Sequence, residues 1–342
     1  MTTTATDAVT ASVIVPAYTL DRWALLSRAV ESVMSQVRPP LELLISIDNN
    51  PALFSRCVER WEAGARPGFP IRVVDHRSYP DRRGATVHAR AHGSHRRFGA
   101  GEARNAAARI ARGDVLVFLD DDASAEPDWL AQLLPHYEDS GTVAVGGPPL
   151  PNYETKRPPW FPPNFDWVFG CAYEGLPTRY APLAHLIGAN MSVRRTVFER
   201  LGGFHSIDFD DLDLCMRVAA TYPAPCIYYE PAARVHHYVP ANRVTWRYFW
   251  RRCFYVNREK VATFADMGSA ANLRAERRFV AQALTRHARR QIMAALHGNG
   301  TALLRLNAML VGIVMAGAGN VFGRFLLVVG TLRKGRLRFA SD

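Results

Sequence analysis

The sequence has few cysteines, and none of them lies in a pattern typical of metal or redox sites. Its five cysteines are widely spaced, odd in number and free of any C-x-x-C pair. This excludes a disulfide framework and a cysteine zinc site, so we expect reduced thiols in a cytoplasmic setting. Residues 1–11 also lack the basic and apolar regions of a signal peptide. We therefore expect a disordered start over residues 1–10 and no export.

Acidic residues are outnumbered by basic ones, 31 against 42, which gives a formal net charge of +11. Such a balance favours anionic partners, namely nucleotide phosphates, anionic lipid heads or nucleic acid. The zinc-finger, RRM and helix-turn-helix patterns of nucleic-acid binders are absent, and we expect no nucleic-acid partner. The 342 residues, 48% of them hydrophobic, suffice for one large domain and an appendage.

Short apolar runs alternate with helical periodicity in the first half of the chain. The runs predict strands at residues 12–15, 41–47, 71–74 and 115–119, and the periodicity predicts helices at about 21–36 and from residue 51. Continuous apolar strands separated by helices indicate a parallel α/β sheet. Pro16, Asp48 and Asp120 each follow one of these strands. They should therefore meet at the carboxyl edge, where such sheets bind ligands.

Two long segments lack apolar periodicity. Residues 77–101 are rich in Arg, His and Gly, and they predict a mobile basic loop that leads into a helix carrying Arg104. Residues 148–182 are dense in Pro, Trp and Phe. A loop of that length inside a compact domain is usually functional. The glycines at 99 and 101 resemble the start of a dinucleotide fingerprint, but the last position of that pattern is Arg104, so we reject it.

Three consecutive carboxylates, Asp120, Asp121 and Asp122, follow the fourth predicted strand. Like charges this close repel each other unless a cation neutralises them. Hard divalent metals such as Mg²⁺ or Mn²⁺ prefer oxygen ligands and are often shared with substrate phosphates. The sequence therefore predicts a metal site here. The alternative is structural, with Asp122 or Ser124 capping a helix that begins near residue 126.

Two later motifs carry further candidate groups. Asp210, Asp211 and Asp213 open a short predicted helix, where they could serve the helix dipole or supply a general base. His236 and His237 follow a predicted strand, and one imidazole there could complete a metal shell. A lone histidine is more often an ordinary polar or core residue, so this motif alone favours function only weakly.

Taken together, these segments resemble the inverting family 2 glycosyltransferases, which have the GT-A fold. The matching segments are residues 13–18 (VIVPAY), 32–36 (SVMSQ), 47–50 (IDNN), 103–107 (ARNAA), 118–122 (FLDDD), 188–192 (GANMS), 198–204 (FERLGGF) and 210–214 (DDLDL), with the late histidine. The resemblance covers roughly residues 11–240. It implies a Rossmann-like, mostly parallel sheet flanked by helices, with a nucleotide-binding half at about 11–125 and an acceptor half at about 126–240.

The resemblance also implies a role for each matching position. The implied donor-binding residues are Pro16, Ala17, Tyr18, Asp48, Arg104, Asp120 and Asp121. The implied metal ligands are Asp122, Asp120 and His237, with His236 as the alternative histidine. The implied acceptor-side residues are Trp160, Trp167, Asn190 and Asp210. Asp211 stands at the position of the catalytic base.

The expected reaction is a metal-dependent, hexosyltransferase-like single displacement. Mn²⁺ or Mg²⁺ and Arg104 would bind the diphosphate of a nucleotide-diphosphate sugar. A carboxylate would deprotonate a saccharide or lipid-linked acceptor in polysaccharide or glycolipid assembly. Two departures from the family pattern affect this expectation. Asn49-Asn50-Pro51 replaces Asp-Gly-Ser, and Asp210-Asp211 replaces Glu-Asp, which leaves the base open among Asp210, Asp211 and Asp213.

Two other functions compete with this one. A phosphatase of the haloacid dehalogenase type also places Asp-x-Asp after a strand, and it would use Asp120 as nucleophile. That function would not explain Asp48 or the Asp210-Asp211 helix. A basic nucleic-acid binder would fit the charge, and its binding would depend steeply on salt.

Residues 241–342 predict a basic and apolar helical extension. Val280, Leu284, Ala288 and Ile292 share one helical face, and arginines crowd the rest. Residues 306–323 carry no charge and reach the minimum length for a membrane span, but they contain four glycines. We expect an interfacial or re-entrant hairpin in preference to a spanning helix, and an enzyme peripheral to an anionic inner membrane face. The alternative is packing on the catalytic domain or a homo-oligomer interface.

Overall fold

The computed structural model describes residues 8–64, 68–78, 99–205, 209–266 and 281–339. The chain forms two compact units. The first contains residues 1–150 and 177–237, and the second contains residues 151–176 and 238–342. Most of the predicted basic loop, residues 79–98, lies outside the described residues, as do residues 1–7.

Eleven strands and nine helices are named here in chain order. The strands are β1 (Ala11–Ala17), β2 (Glu42–Ile47), β3 (Ile71–Asp75), β4 (Val115–Leu119), β5 (Ala123–Ala125), β6 (Ala144–Gly146), β7 (Pro149–Tyr153), β8 (Ala181–Pro182), β9 (Asn190–Arg194), β10 (Ile227–Tyr229) and β11 (Val235–Val239). The helices are α1 (Trp23–Met34), α2 (Pro51–Cys57), α3 (Ala100–Ala108), α4 (Trp129–Leu133), α5 (Arg195–Leu201), α6 (Asp210–Thr221), α7 (Trp246–Asp266), α8 (Ala288–Leu296) and α9 (Gly300–Phe339).

An eight-stranded sheet with the order β3-β2-β1-β4-β9-β6-β10-β8 forms the centre of the first unit. The four predicted strands are β1 to β4, which pair in parallel, whereas β9 runs antiparallel to both of its neighbours. The predicted mostly parallel α/β sheet is therefore confirmed. β1 continues through Pro16 to Ala17 because its pairing with β4 has already ended at Ile14, where no partner needs the missing N–H.

Alternate residues of the central strands pack into two different cores, as the twofold repeat of a strand requires. Val13, Leu43 and Val117 pack on the face covered by α1, α2 and α4. Ile14 and Phe118 pack on the opposite face, against residues of α3, α5 and α6. Because both faces are covered, the middles of these strands are apolar, and their polar side chains lie at or next to the strand ends.

The start of α4 excludes one of the two interpretations of the acidic triplet, Asp120 to Asp122. Ser124 lies in strand β5, and α4 begins only at Trp129, after Asp128. The alternative in which Asp122 or Ser124 caps a helix is therefore wrong. By contrast, Pro51 opens α2 as predicted, and Asn50 caps it by accepting a hydrogen bond from the Leu53 N–H at 3.0 Å.

The second unit has an aromatic core of its own. Phe161, Phe165 and Phe169 from residues 151–176 pack with Phe249 of α7 and Met309 of α9. Phe161 stacks on Phe169 with ring centroids 4.6 Å apart. The proline-rich segment is thus ordered mainly by aromatic packing, which is a large source of buried apolar area.

Helix α9 runs for 40 residues without a break, so a re-entrant hairpin within residues 306–323 is wrong. Its glycines allow close packing against α7 instead of breaking the helix. A Cβ at Gly319 would overlap the carbonyl oxygen of Phe254, and a Cβ at Gly323 would lie 2.6 Å from that of Arg258. The part of α9 from Gly300 to Val329 is long and apolar enough to cross a membrane.

The apolar face predicted for residues 280–292 is only partly described. Val280 and the side chain of Leu284 lie outside the described residues. Ala288 is half-buried and Ile292 is 49% exposed, while the buried positions of this region are His287 and Gln291. The helical face that packs inward is therefore shifted by one residue from the predicted face. The residues buried on it, His287 and Gln291, are polar, so apolar periodicity did not indicate it.

Candidate active site

Asp120, Asp122 and His237 bring one ligand atom each to within 4.8 Å of one another in the first unit. The two aspartates follow β4 directly, and Asp122 is buried. His237 reaches them because β11 pairs antiparallel with β5, which places His237 opposite Ala123. Its Nε2 lies 3.1 Å from Asp122 Oδ1.

Strand alternation separates the two candidate histidines. His237 is buried beside Asp122, whereas His236 points to the opposite face, is exposed and lies 3.1 Å from Glu126 Oε1. The structure therefore groups His237, and not His236, with the carboxylates. Two carboxylates and one imidazole are a donor set that suits a hard or borderline divalent cation, so the residues present fit Mn²⁺ or Mg²⁺.

Arg22 is a site residue that the sequence did not predict. Its Nη1 lies 2.9 Å from Asp121 Oδ1 and 3.0 Å from Asp122 Oδ2. Burial and the neighbouring Asp122 carboxylate raise the pKa of Asp121, and Arg22 lowers it. The net result is a pKa of about 7. Arg22 therefore acts as an internal counter-ion for the acidic triplet.

Arg104 joins the two acidic motifs. It is buried in α3, and its guanidinium donates to Asp120 Oδ1 at 2.5 Å and to Asp210 Oδ2 at 2.6 Å. Burial alone would lower the pKa of Arg104, but these carboxylates outweigh burial and raise it. Arg104 is thus a fixed positive charge between the end of β4 and the start of α6.

The three aspartates of α6 have different surroundings. Asp213 is buried and paired with Arg217 at 2.6 Å, whereas Asp210 is held by Arg104. Asp211 accepts hydrogen bonds from the N–H groups of Gly188 at 2.8 Å and of Leu212 at 2.7 Å. Burial raises the pKa of Asp211 despite these bonds, and it also raises the pKa of Asp210.

The predicted nucleobase residues lie at the carboxyl ends of neighbouring strands. Pro16 and Ala17 are buried at the end of β1, and Tyr18 beside them is 52% exposed. The Asp48 N–H donates to Ala17 O at 2.8 Å. His76, which the sequence did not suggest, follows β3, and its Nδ1 lies 3.6 Å from Asp48 Oδ1. That carboxylate oxygen is buried and accepts no hydrogen bond from the described residues.

The predicted acceptor-side residues are divided between the two units, with Asn190 and Asp210 in the first. Asn190 is fully buried in the first unit, where its amide accepts from Trp129 Nε1 and donates to Ala233 O, each at 2.8 Å. Its amide is therefore engaged within the protein. Trp160 and Trp167 belong to the second unit, and Trp160 packs edge-on against Trp246 with centroids 5.0 Å apart.

Comparison with known proteins is consistent with this arrangement. The sequence model described as glycosyl transferase family 2 matches residues 89–202. A glucosyl-dolichyl phosphate glucuronosyltransferase from Haloferax volcanii is 30% identical over 255 residues, which cover 70% of this chain and 74% of that protein. The chain belongs to glycosyl transferase family 2. The phosphatase alternative is set aside by this membership.

Two further relatives of this glycosyltransferase extend the comparison. The succinoglycan biosynthesis protein ExoM of Rhizobium meliloti is 29% identical over 159 residues, 44% of this chain and 48% of its own. A mannosyltransferase from Pyrobaculum calidifontis, solved in complex with GDP-Man and Mn²⁺, matches with a TM-score of 0.55 at 19% identity. That match covers 92% of this chain and 88% of the mannosyltransferase, and it shows that this glycosyltransferase has the GT-A fold.

Proposed function

We propose that this glycosyltransferase moves a sugar from a nucleotide-diphosphate sugar to an acceptor hydroxyl with inversion at the anomeric carbon. The observation that carries the proposal is the grouping of Asp120, Asp122 and His237 beside Arg104 and the Asp210-Asp211 helix start. A cation site, a fixed arginine and a half-buried carboxylate of raised pKa are the parts that such a displacement needs.

The donor base fits the strand ends around Asp48. Tyr18 offers an exposed ring face for stacking, and the partly exposed Asp48 carboxylate offers an acceptor for a base N–H. His76, after β3, lies next to Asp48 on the side away from β1. This assignment rests on placement at the carboxyl edge of the sheet, where nucleotides bind in such folds.

The diphosphate fits the acidic and arginine-rich centre. Asp120, Asp122 and His237 would hold a divalent metal, which supplies positive charge to the departing nucleoside diphosphate. Arg104 contributes a second positive charge, and its two carboxylate partners fix it in place. Preorganised charge of this kind stabilises a leaving group without costly rearrangement.

Asp211 is the proposed general base. Its raised pKa gives it more affinity for a proton than an ordinary aspartate has, and its hydrogen bonds from Gly188 and Leu212 fix its orientation. Asp210 is paired with Arg104, and Asp213 is paired with Arg217. Asp211 would take the proton of the acceptor hydroxyl as that oxygen attacks the face opposite the nucleotide, which gives inversion.

The acceptor is proposed to be a lipid-linked or polysaccharide sugar at the inner face of the cell membrane. Two relatives are named for glucosyl-dolichyl phosphate and for succinoglycan biosynthesis. Helix α9 adds an apolar segment of membrane-spanning length, and several of its apolar side chains are exposed. These features support a membrane-bound acceptor.

A panel of nucleotide sugars tests the donor. Each compound is added to the full chain with and without Mn²⁺, and the thermal unfolding midpoint is measured. We expect one nucleotide sugar to raise the midpoint only when Mn²⁺ is present, since a ligand that binds the native state stabilises it. If no nucleotide sugar raises the midpoint with the metal, the proposed function is contradicted.

A further inference from the structure

The second unit contains a shallow, positively charged cavity that is wide open to solvent and that the proposed reaction does not use. The cavity has a volume of about 460 Å³, and it is lined by Thr285, Arg286, Arg289, Arg290 and Met293. Among the described residues, three arginines and no acidic side chain line it. Such a lining favours an anion, and a planar guanidinium binds phosphate oxygens with two hydrogen bonds at once.

The three arginines are not equivalent. Arg290 donates to Glu174 Oε1 at 2.5 Å, and His287 Nδ1 lies 3.5 Å from the other oxygen of the same carboxylate. This pairing fixes Arg290 and neutralises its charge. Arg286 and Arg289 are exposed, and neither forms an ion pair within the described part of the chain. The cavity therefore keeps two positive charges for a ligand.

The same helical face becomes apolar one turn further on. Met293 is 47% exposed and Leu296 is 76% exposed. With Arg289 they follow the i, i+4, i+7 spacing of one stripe of α8, and Arg286 lies in the helical turn just before it, Ala283–His287. From Arg289 to Leu296 the stripe extends about 10 Å along the helix axis. One continuous surface thus carries positive charge at one end and exposed apolar side chains at the other.

We propose that this surface binds the phosphate group of a lipid, with the phosphate between Arg286 and Arg289 and the hydrocarbon chain along Met293 and Leu296. A free phosphate would make no use of the apolar end. A single-stranded nucleic acid would use aromatic rings, and none lines the cavity. The proposal deepens the proposed function and rests on it, because it takes the lipid phosphate to be that of the membrane-held acceptor.

The direct test is binding of farnesyl monophosphate, presented in nonionic detergent micelles, to the full chain. The double variant Arg286→Gln/Arg289→Gln should bind it at least about tenfold more weakly, because each lost charge-assisted hydrogen bond is worth about a factor of ten or more. The matched control is Arg28→Gln/Arg200→Gln, which removes the same charge from exposed helical sites of the first unit. The control should bind like the wild type.

The apolar end is tested separately with Met293→Ser/Leu296→Ser. This variant should lose affinity for farnesyl monophosphate, and inorganic phosphate should compete poorly against the lipid in the wild type. Equal binding by wild type and the Arg286/Arg289 variant would overturn the proposal. So would equal losses in the charge-matched control, or competition by inorganic phosphate or DNA as effective as that by the lipid.

Donor binding distinguishes this inference from the proposed function. The Mn²⁺-dependent thermal shift with a nucleotide sugar is measured on the same variants, and the substitutions lie in the other unit of the chain. An intact donor shift with unchanged lipid binding would reject the lipid site alone. Absence of the donor shift in the wild type would reject the proposed function.

Discussion

At the scale of single residues, two arginines balance the carboxylates of the site. Arg22 pairs with Asp121 and Asp122, and Arg104 pairs with Asp120 and Asp210. The acidic triplet could be predicted as a candidate site from the sequence, because three consecutive aspartates directly follow an apolar strand. Arg22 could not be predicted as its partner, because the two lie about a hundred positions apart and only folding brings them together.

Arg22→Gln should make the metal-free protein less stable and make the response to metal larger. Without Arg22, the carboxylates of Asp121 and Asp122 repel each other, and removing one partner of a partly buried pair costs about 1–3 kcal/mol. Mn²⁺ would then relieve more repulsion than in the wild type. Thermal unfolding in chelator and in Mn²⁺ measures both effects, with Arg28→Gln as the control. An Mn²⁺-induced shift no larger than that of the wild type would contradict this role.

Asp211→Asn should lower kcat by about 10²–10⁴-fold, which is the usual contribution of a positioned base. Donor affinity should remain unchanged, because Asp211 is proposed to act on the acceptor and not to bind the donor. The asparagine amide oxygen can still accept one of the two backbone hydrogen bonds that orient the side chain. Since burial raises the pKa of Asp211, the acidic limb of the kcat/KM profile should lie above the pH at which ordinary aspartates titrate. A larger loss of kcat in Asp210→Asn would reassign the base to Asp210.

At the scale of elements, the strands were predictable and the long C-terminal helix was only partly so. β1 to β4 coincide with apolar runs, because a strand covered on both faces is mostly apolar. The hairpin prediction was wrong because it relied on the low helix propensity of glycine. Packing of one helix against another, which keeps these glycines helical, is not visible in the sequence of a single segment. Gly319 and Gly323 are helical because α7 lies against them.

A matched pair of substitutions tests this explanation of α9. Gly319→Ala should destabilise the second unit, because the new Cβ would overlap the backbone of Phe254. Gly317→Ala should leave stability unchanged or raise it by about 1 kcal/mol, since no atom lies within 4 Å of that Cβ and alanine is the better helix former. Thermal unfolding of the two variants gives the comparison. Equal effects at both positions would show that close packing is not the reason for the glycines.

At the scale of the whole molecule, the sequence motifs, the fold and the relatives all support one family. The resemblance of the motifs to family 2 glycosyltransferases implied the GT-A fold, and this fold places His237 beside the aspartates. The acceptor-side residues were harder to predict from the sequence. The positions of Trp160, Trp167 and Asn190 follow no sequence pattern that distinguishes a sugar-binding loop from a protein core. Asn190, for example, is fully buried.

Membrane binding is also a property of the whole chain. Val314 and Val321 of α9 are 57% and 68% exposed. The variant Val314→Asp/Val321→Asp should therefore lose flotation with anionic liposomes, because charges are costly in the hydrocarbon layer. Val37→Asp/Leu41→Asp introduces the same charge at exposed apolar positions of the first unit and should float like the wild type. Failure of the wild type to float at low salt would reassign α9 to packing or oligomerisation.

Dependence of sugar transfer on a divalent metal held by Asp120, Asp122 and His237 is the property on which the proposed mechanism rests. It is tested most directly by measuring sugar transfer from the nucleotide sugar in Mn²⁺ for the wild type, Asp122→Ala and the surface control Glu138→Ala. Asp122→Ala should lose at least about 100-fold in rate, as should the wild type in excess chelator, while its fold is retained. Glu138→Ala should keep full activity. Full transfer by Asp122→Ala, or by the wild type in chelator, would contradict the account.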